Sequence, residues 1–297
     1  SNWDTGNATN MEMVFNGCKN LQTLNVSGWD TGKATTIAGM FNHCEKVQTL
    51  AVSEWNVSNV SDFGMAFQQC WALKELDVSN WNTGKATNMG WMFYGMSNLR
   101  TLDLSGWDVS KVESFHHMFA WCTNFVASGI ENWDVSSAKT LNAMFHSNVA
   151  TSYDLSKWDV SNVENFGQMF ERNWKLVEIK GLENWDTSNA KTFYEMFSGC
   201  QSLVSLNLSS FDTRNASDSY VDPKRNEVVP GGMYHMFGST LLKDDGGIEA
   251  YNWMYSLQEV IVGENFYFNG NGSCNPASLP KLIYEGVSHV SGTDGLW

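Results

Sequence analysis

An α/β solenoid of about nine to ten stacked 26-residue coils, with a parallel β-sheet on one face and short helices on the other, is the fold class this sequence predicts. Three observations predict it: a tryptophan that returns at a fixed interval, a leucine segment of strand periodicity in each interval, and a second apolar set at helical spacing. Trp3, Trp29, Trp55, Trp81, Trp107, Trp133, Trp158 and Trp185 follow one another at 26, 26, 26, 26, 26, 25 and 27 residues, and Phe211 comes 26 later. Self-similarity at such a period is the signature of units that cannot enclose a core alone and must stack on their neighbours.

The columns of the repeat assign each part its work. Leu99, Leu102 and Leu104 match Leu21, Leu24 and Val26, then Val47, Leu50 and Val52, then Leu73, Leu76 and Val78. The last two of each set alternate at period two, as in a short strand buried on one face. Ala86, Met89, Met92 and Phe93 recur as Val112, Phe115, Met118 and Phe119 and as Ala190, Phe193, Met196 and Phe197. Spacings of three and four predict one or two turns of amphipathic helix.

Before each predicted helix stands a small polar residue, Asn10, Thr36, Asp62, Asn88, Ser114, Thr140, Asn165, Thr192 or Asp218, whose side chain can accept a bond from an otherwise unpaired amide of the first turn. After each aromatic comes Asp or Asn, including Asp30 and Asp108, placed to fold onto the backbone two residues ahead as an Asx turn. Residues 1–263 are expected to form the solenoid, with a 14-residue insertion, 219–232, in the ninth unit and a capping segment at 264–297. Leu257, Val260 and Val262 are expected to supply a tenth strand. The abrupt start and stop read as a piece of a longer protein.

Cys18, Cys44, Cys70, Cys122 and Cys200 share one column, with Asn148 and Asn173 in the same place. Side chains in one column point in parallel, and coils about 4.8 Å apart hold their β-carbons farther from each other than the about 3.8 Å of a disulfide. Free buried thiols bonded to loop backbone are predicted. A zinc site is not expected, since the spacings are whole repeats and no C-x-x-C pair occurs.

The net charge of −14, from 18 basic and 32 acidic residues, disfavours nucleic acid and anionic lipid as partners. No stretch has the length and apolarity of a spanning helix, so no membrane insertion is expected within this chain, and any export signal or anchor would lie outside it. A calcium ladder of stacked aspartates is disfavoured because Asn replaces Asp twice and Lys33, Lys85 and Lys111 follow three residues later. His116 and His117, adjacent on an expected helix, should face different ways and lie at the surface, as should His43, His146, His235 and His289. No cofactor, metal or catalytic cluster is expected, and the protein is not expected to be an enzyme.

Five aromatics fall outside the repeat columns: Trp71, Trp91, Tyr94, Trp121 and Trp174 stand where other units carry Lys, Gly, Asn or Gln. The fold does not require them, and large exposed rings mark protein or sugar contacts. The outward strand positions, such as Thr101, Asp103 and Ser105, lack such anchors. The five aromatics are the candidate ligand-binding residues, the alternative being that they fill local gaps between helices, while Trp29, Trp55, Trp81, Trp107, Trp133, Asp30, Asp108, Cys18, Cys44 and Cys70 are expected to be structural.

Trp, the Met-Phe pair, Cys and the spaced leucines, recurring together and in order, resemble the 26-residue surface-protein repeat of BspA-like leucine-rich-repeat proteins of bacteria. The resemblance implies a leucine-rich-repeat-like, extracellular cell-surface module, often associated with adhesion to a host or neighbouring-cell protein or glycan. A monomer is expected, and a passive stalk is the alternative. Met96, Asn148 and Asn173 depart from the column Cys, and Phe211 from the column Trp.

Overall fold

The computed structural model describes residues 3–217, 219–222, 227–233, 235–242, 248–251, 254, 256–267, 282–284 and 287–289. Asp218, Trp253, Cys274, Trp297 and most of the expected cap at 264–297 lie outside them. Two compact units form, residues 1–138 with 147–149 and residues 139–146 with 150–297.

In the first unit the capping column pairs coil to coil in parallel, Asn10 with Thr36, Thr36 with Asp62, Asp62 with Asn88 and Asn88 with Ser114. Every second amide of the following segment donates to the next coil: Met11, Met13, Phe15 and Gly17 to the carbonyls of Thr36, Ala38, Met40 and Asn42 at 3.1, 2.8, 2.9 and 2.8 Å. Between these bonds the chain turns on itself, as where the Asn16 amide donates to Met13 O and Cys18 to Phe15 O.

This ladder corrects the expected helices. Among the described residues no α-helix forms, and the two helical segments, Ile130–Asn132 and Leu182–Asn184, are three-residue 3-10 turns. Apolar spacings of three and four arise instead from a chain that turns between coil-to-coil bonds. A helix of one or two turns is marginal by itself, whereas the ladder satisfies the same amides in coil after coil. Two columns adopt left-handed backbone throughout, Met13, Gly39, Met65, Trp91 and His117 in one and Gly17, His43, Gln69, Gly95 and Trp121 in the other. Each non-glycine there costs about 1 kcal/mol.

The small polar column still caps amides two residues ahead, Asp62 Oδ1 accepting from Gly64 N at 2.9 Å and Asn88 Oδ1 from Gly90 N at 3.0 Å. The aspartates after the tryptophans form Asx turns: Asp30 Oδ1 accepts from Gly32 N at 2.9 Å and Asp108 Oδ1 from Ser110 N at 3.0 Å. Bonds from Ser110 hold the Asp108 carboxyl below the usual carboxylate range, so its stabilising contribution is present above that range and lost as pH falls through it.

Ring stacks run along the coils. Trp3, Trp29, Trp55, Trp81 and Trp107 stack at 5.5, 6.2, 6.4 and 6.3 Å between centroids, and Phe15, Phe41, Phe67, Phe93 and Phe119 at 5.7, 5.6, 5.9 and 5.8 Å. Four successive indoles also donate back to the previous coil: Trp55 Nε1 to Val26 O, Trp81 Nε1 to Val52 O, Trp107 Nε1 to Val78 O and Trp133 Nε1 to Leu104 O. Trp29 Nε1 is buried without a partner. Opposite the ladder the leucine segments alternate as expected, with Leu102 and Leu104 buried and Thr101, Asp103 and Ser105 exposed, and the parallel bridges Thr49–Glu75 and Asp103–Ser128 join them.

In the second unit β1 (Ser152–Asp154) pairs in parallel with β2 (Glu178–Lys180), and β3 (Ser205–Leu208) is an edge of a four-stranded sheet. The hairpin of β4 (Ser219–Asp222) and β5 (Glu227–Pro230) is the insertion, and β6 (Ser239–Leu242) with β7 (Ile248–Tyr251) is a second hairpin. β8 (Glu259–Val262) contains Val260 and Val262 of the expected tenth strand and pairs in parallel with β3 in register Leu206–Val260. β9 (Leu282–Tyr284) follows β8 in parallel and β10 (Val287–His289) closes the sheet antiparallel. Gly232 pairs in parallel with Thr192 as the ladder residue of its coil.

The cysteine column lies against the phenylalanine column of the previous coil: Cys44, Cys70 and Cys122 donate to Phe15, Phe41 and Phe93 carbonyls at 3.3, 3.2 and 3.1 Å, and Cys200 to Phe170 O at 3.0 Å. Asn148 and Asn173 donate to Phe119 O and Phe145 O in the same way. All five column cysteines are free. Burial pushes the thiols of Cys44 and Cys122 up to about 12, with Cys70 and Cys200 also raised, while Cys18 is only half-buried. A thiol reagent near pH 8 is therefore expected to modify Cys18 among these five in the folded protein and the other four only after denaturation; fewer than five in the unreduced, denatured chain would contradict the assignment.

Candidate interaction surface

The left-handed ladder that replaces the helices also sets the direction of the off-column aromatics. Trp91 and Trp121 stand at φ 61 and 60, one in each left-handed column. On the ladder side of the first unit, Trp91 stacks on His117 at 4.0 Å and 7° and meets Tyr94 at 4.7 Å. His116 packs edge-on against Trp91 at 5.2 Å, and the Nδ1 atoms of His116 and His117 approach to 3.3 Å. Burial raises the Tyr94 phenol.

Trp71, on the preceding coil, lies beside the residue that follows Tyr94: its Nε1 would be 3.4 Å from a β-carbon on Gly95, so the indole rests where Gly95 leaves room. The Gly95 amide donates in turn to Ala120 O, beside Trp121. Trp71 and Trp121 are 42% and 43% exposed, a large apolar area for solvent to cover. Four of the five candidate aromatics, Trp71, Trp91, Tyr94 and Trp121, thus share three successive coils. Trp174 belongs to the second unit, where it is 52% exposed.

Two histidine expectations need correction. His116 is buried, and the backbone turn at His117, φ 54, brings the adjacent rings together where a helix would have separated them. His146 is buried as well, inside a polar network of the second unit that local spacing did not reveal. His146 Nδ1 lies 3.0 Å from Glu171 Oε2, and Arg172 Nε lies 3.3 Å from Glu171 Oε1. Gln168 Nε2 donates to both Glu171 Oε2 and Glu195 Oε2, at 2.7 and 2.9 Å, while Tyr194 OH donates to Gln168 Oε1 at 2.9 Å. Asn142 Nδ2 donates to Tyr194 OH, and His235 Nδ1 stands 3.8 Å from Glu195 Oε1. The signal available in the sequence was Gln168 and Glu195 in the ladder column of Met13, Gly39, Met65 and Ala143. No group of three metal-ligating side chains occurs among the described residues.

The strand side of the first unit offers two shallow hollows of about 370 and 380 Å³, one around Asp77, Thr101, Asp103 and Ser128 and the other around Asn25, Thr49, Ala51 and Glu75. Two of the lining carboxylates are already engaged: Asp77 Oδ1 accepts from Ser79 N and Oγ, and Asp103 Oδ1 from Ser105 N. Asp103 is held below the usual carboxylate range by those Ser105 bonds. The ladder side, with exposed aromatic area, is the stronger candidate surface. Lysines at the Asx-turn corner bond along the stack, Lys33 Nζ to Asn7 Oδ1 and Lys85 Nζ to Asn59 Oδ1, both at 2.6 Å.

A family model described as "Mycoplasma protein of unknown function, DUF285" matches residues 1–101, 87–179 and 151–221. No curated protein matches the chain. No helix among the described residues is long and apolar enough to cross a membrane.

Proposed function

The chain belongs to the DUF285 family, and from the exposed aromatic cluster together with the resemblance of its repeat to that of BspA-like proteins we propose that it is a non-enzymatic, extracellular binding module, of the BspA-like leucine-rich-repeat kind, that attaches to a protein or glycan on a host or neighbouring cell. The observation that carries this reading is the pair Trp71 and Trp121, each more than two-fifths exposed on a face where neighbouring coils manage with Ser97 and Gly95. Rings held in the open cost solvation free energy, and large apolar patches on a folded surface mark contact sites. A spacer needs only the repeated columns, so it leaves these rings without a role.

Immobilised protein presented with an array of matrix proteins and cell-surface glycans tests the reading. Capture that falls when Trp71→Ser and Trp121→Gly are combined supports a binding module; absence of capture across the array, with the fold intact, supports the spacer instead. The two substitutions install residues that Gly95 and Ser97 already place in the same columns, so circular dichroism should be unchanged.

A further inference from the structure

We infer that the ladder face of the first unit, around Trp71, Trp91, Tyr94 and Trp121, takes an uncharged, hydroxyl-rich glycan, a neutral hexose chain; this rests on the binding reading above and narrows it to one ligand chemistry. In a protein of net charge −14, the ladder and turn segments of these three coils, residues 63–73, 89–99 and 114–130, contain no Asp, Glu, Lys or Arg. The equivalent segments of the first two coils carry Glu12, Lys19, Glu45 and Lys46, and the seventh carries Glu171, Arg172 and Lys175. Glu45, in the Trp71 column, is turned to Lys19 at 3.1 Å on the coil before it.

A face without carboxylates offers a cationic protein segment no complementary charge, and the rest of this acidic surface repels polyanions. What remains is a set of aromatic faces beside amide, phenol and imidazole groups: Gln69, Tyr94, Asn98 and His117. The π-face of an indole is its negative region, and the axial C–H bonds on one side of a pyranose present a positively polarised, apolar patch to it. Hydroxyls around the sugar rim then need neutral donors and acceptors, which amides and a phenol supply without the desolvation cost of an ion. Gln69 Oε1 is a buried acceptor without a hydrogen-bond partner, in the column of Gly95 and Trp121.

The geometry also fits an extended ligand. Trp71 lies across the gap left by Gly95, with Trp121 one coil beyond in that column, so the rings follow the stacking direction, where successive coils repeat at about 4.8 Å. That step approximates the length of a sugar residue, and a chain laid along the stack meets one coil after another. Gly95 is buried with φ 73, and nothing larger is needed there by the fold.

Titration calorimetry of the intact chain with neutral hexose hexasaccharides, differing in linkage and in the hexose, tests the proposal. At least one is expected to bind, with affinity changing less than about twofold between low and about 0.5 M salt because no ion pairs form. Trp71→Ser with Trp121→Gly is expected to weaken it at least about tenfold, and Gly95→Gln to weaken it by obstructing the gap. Sulfated or sialylated counterparts should bind no better. If no neutral oligosaccharide binds while a protein on the array does, the glycan assignment fails and the binding module stands; if neither binds, both fail. Oligosaccharide binding unaffected by the double substitution overturns this site.

Discussion

Trp81→Ala is expected to lower the unfolding free energy by about 4 kcal/mol. The side chain is 1% exposed, stacks between Trp55 and Trp107 at 6.4 and 6.3 Å, and donates Nε1 to Val52 O at 3.0 Å. Its removal opens a cavity in a row that continues on both sides, and it leaves a buried carbonyl without its donor, a further loss of about 1 kcal/mol where no water enters. Urea unfolding followed by far-UV circular dichroism measures the change. Trp3→Ala is the control: this ring is 57% exposed at the edge of the same row, and its loss should cost under about 1.5 kcal/mol. Equal losses at the two positions would mean that the interior row does not carry the stack.

Glu171→Ala is expected to cost about 3 kcal/mol. The carboxylate is 7% exposed, faces His146 at 3.0 Å and Arg172 at 3.3 Å, and accepts from Gln168. Truncation leaves the imidazole of His146 and one amide bond of Gln168 without this acceptor in a nearly dry environment, which costs more than the ion pair itself contributed. Glu178→Ala provides the contrast. Its partner Lys180 is 3.8 Å away with both side chains 57% exposed, so the change should stay within about 0.5 kcal/mol. A Glu171 variant as stable as the Glu178 variant would show that the network adds nothing to the second unit.

These two residues differ in how far the sequence discloses them. Trp81 is legible because its column repeats: one tryptophan every 26 residues, followed by Asp or Asn and then a capping residue, specifies stacking, Asx turns and caps together. Cys70 is legible for the same reason, and Asn173 in its column confirms the chemistry by donating to the Phe145 carbonyl. Glu171 is not legible, because its column varies from coil to coil and the network it joins combines Gln168, 3 residues away, and His146, 25 residues away, with Asn142, Tyr194 and Glu195 from neighbouring coils. Side chains meet there through coil-to-coil offset, which local spacing does not encode.

The expected helices fail for a different reason. Met89, Met92 and Phe93 have the spacing of a helical face, yet Trp91 between them is left-handed and its amide donates to His116 O in the next coil at 2.7 Å. Apolar periodicity reports which side chains face inward. It does not report where the amides go, and here neighbouring coils compete successfully for them. The same substitution of ladder for helix explains His117, which the ladder folds onto Trp91 and next to His116. The aromatic cluster was thus legible as four residues without a structural role, whereas its contiguity, through Gly95 and His117, depended on a backbone that helical spacing misrepresents.

The central claim is that equivalent residues of successive 26-residue copies lie side by side in parallel register. Nitroxide labels on Thr49→Cys and Glu75→Cys, with Cys18→Ser and Cys274→Ser to remove the half-exposed column thiol and the cysteine outside the described residues, measure this directly, because these two residues are bridge partners on neighbouring coils. Backbones in that register lie about 5 Å apart, and the doubly labelled protein should give a strongly broadened spectrum, with a Thr49→Cys and Thr101→Cys pair, two coils apart, broadened far less. A spectrum for the 49 and 75 pair equal to the sum of the two single labels would contradict the parallel stack.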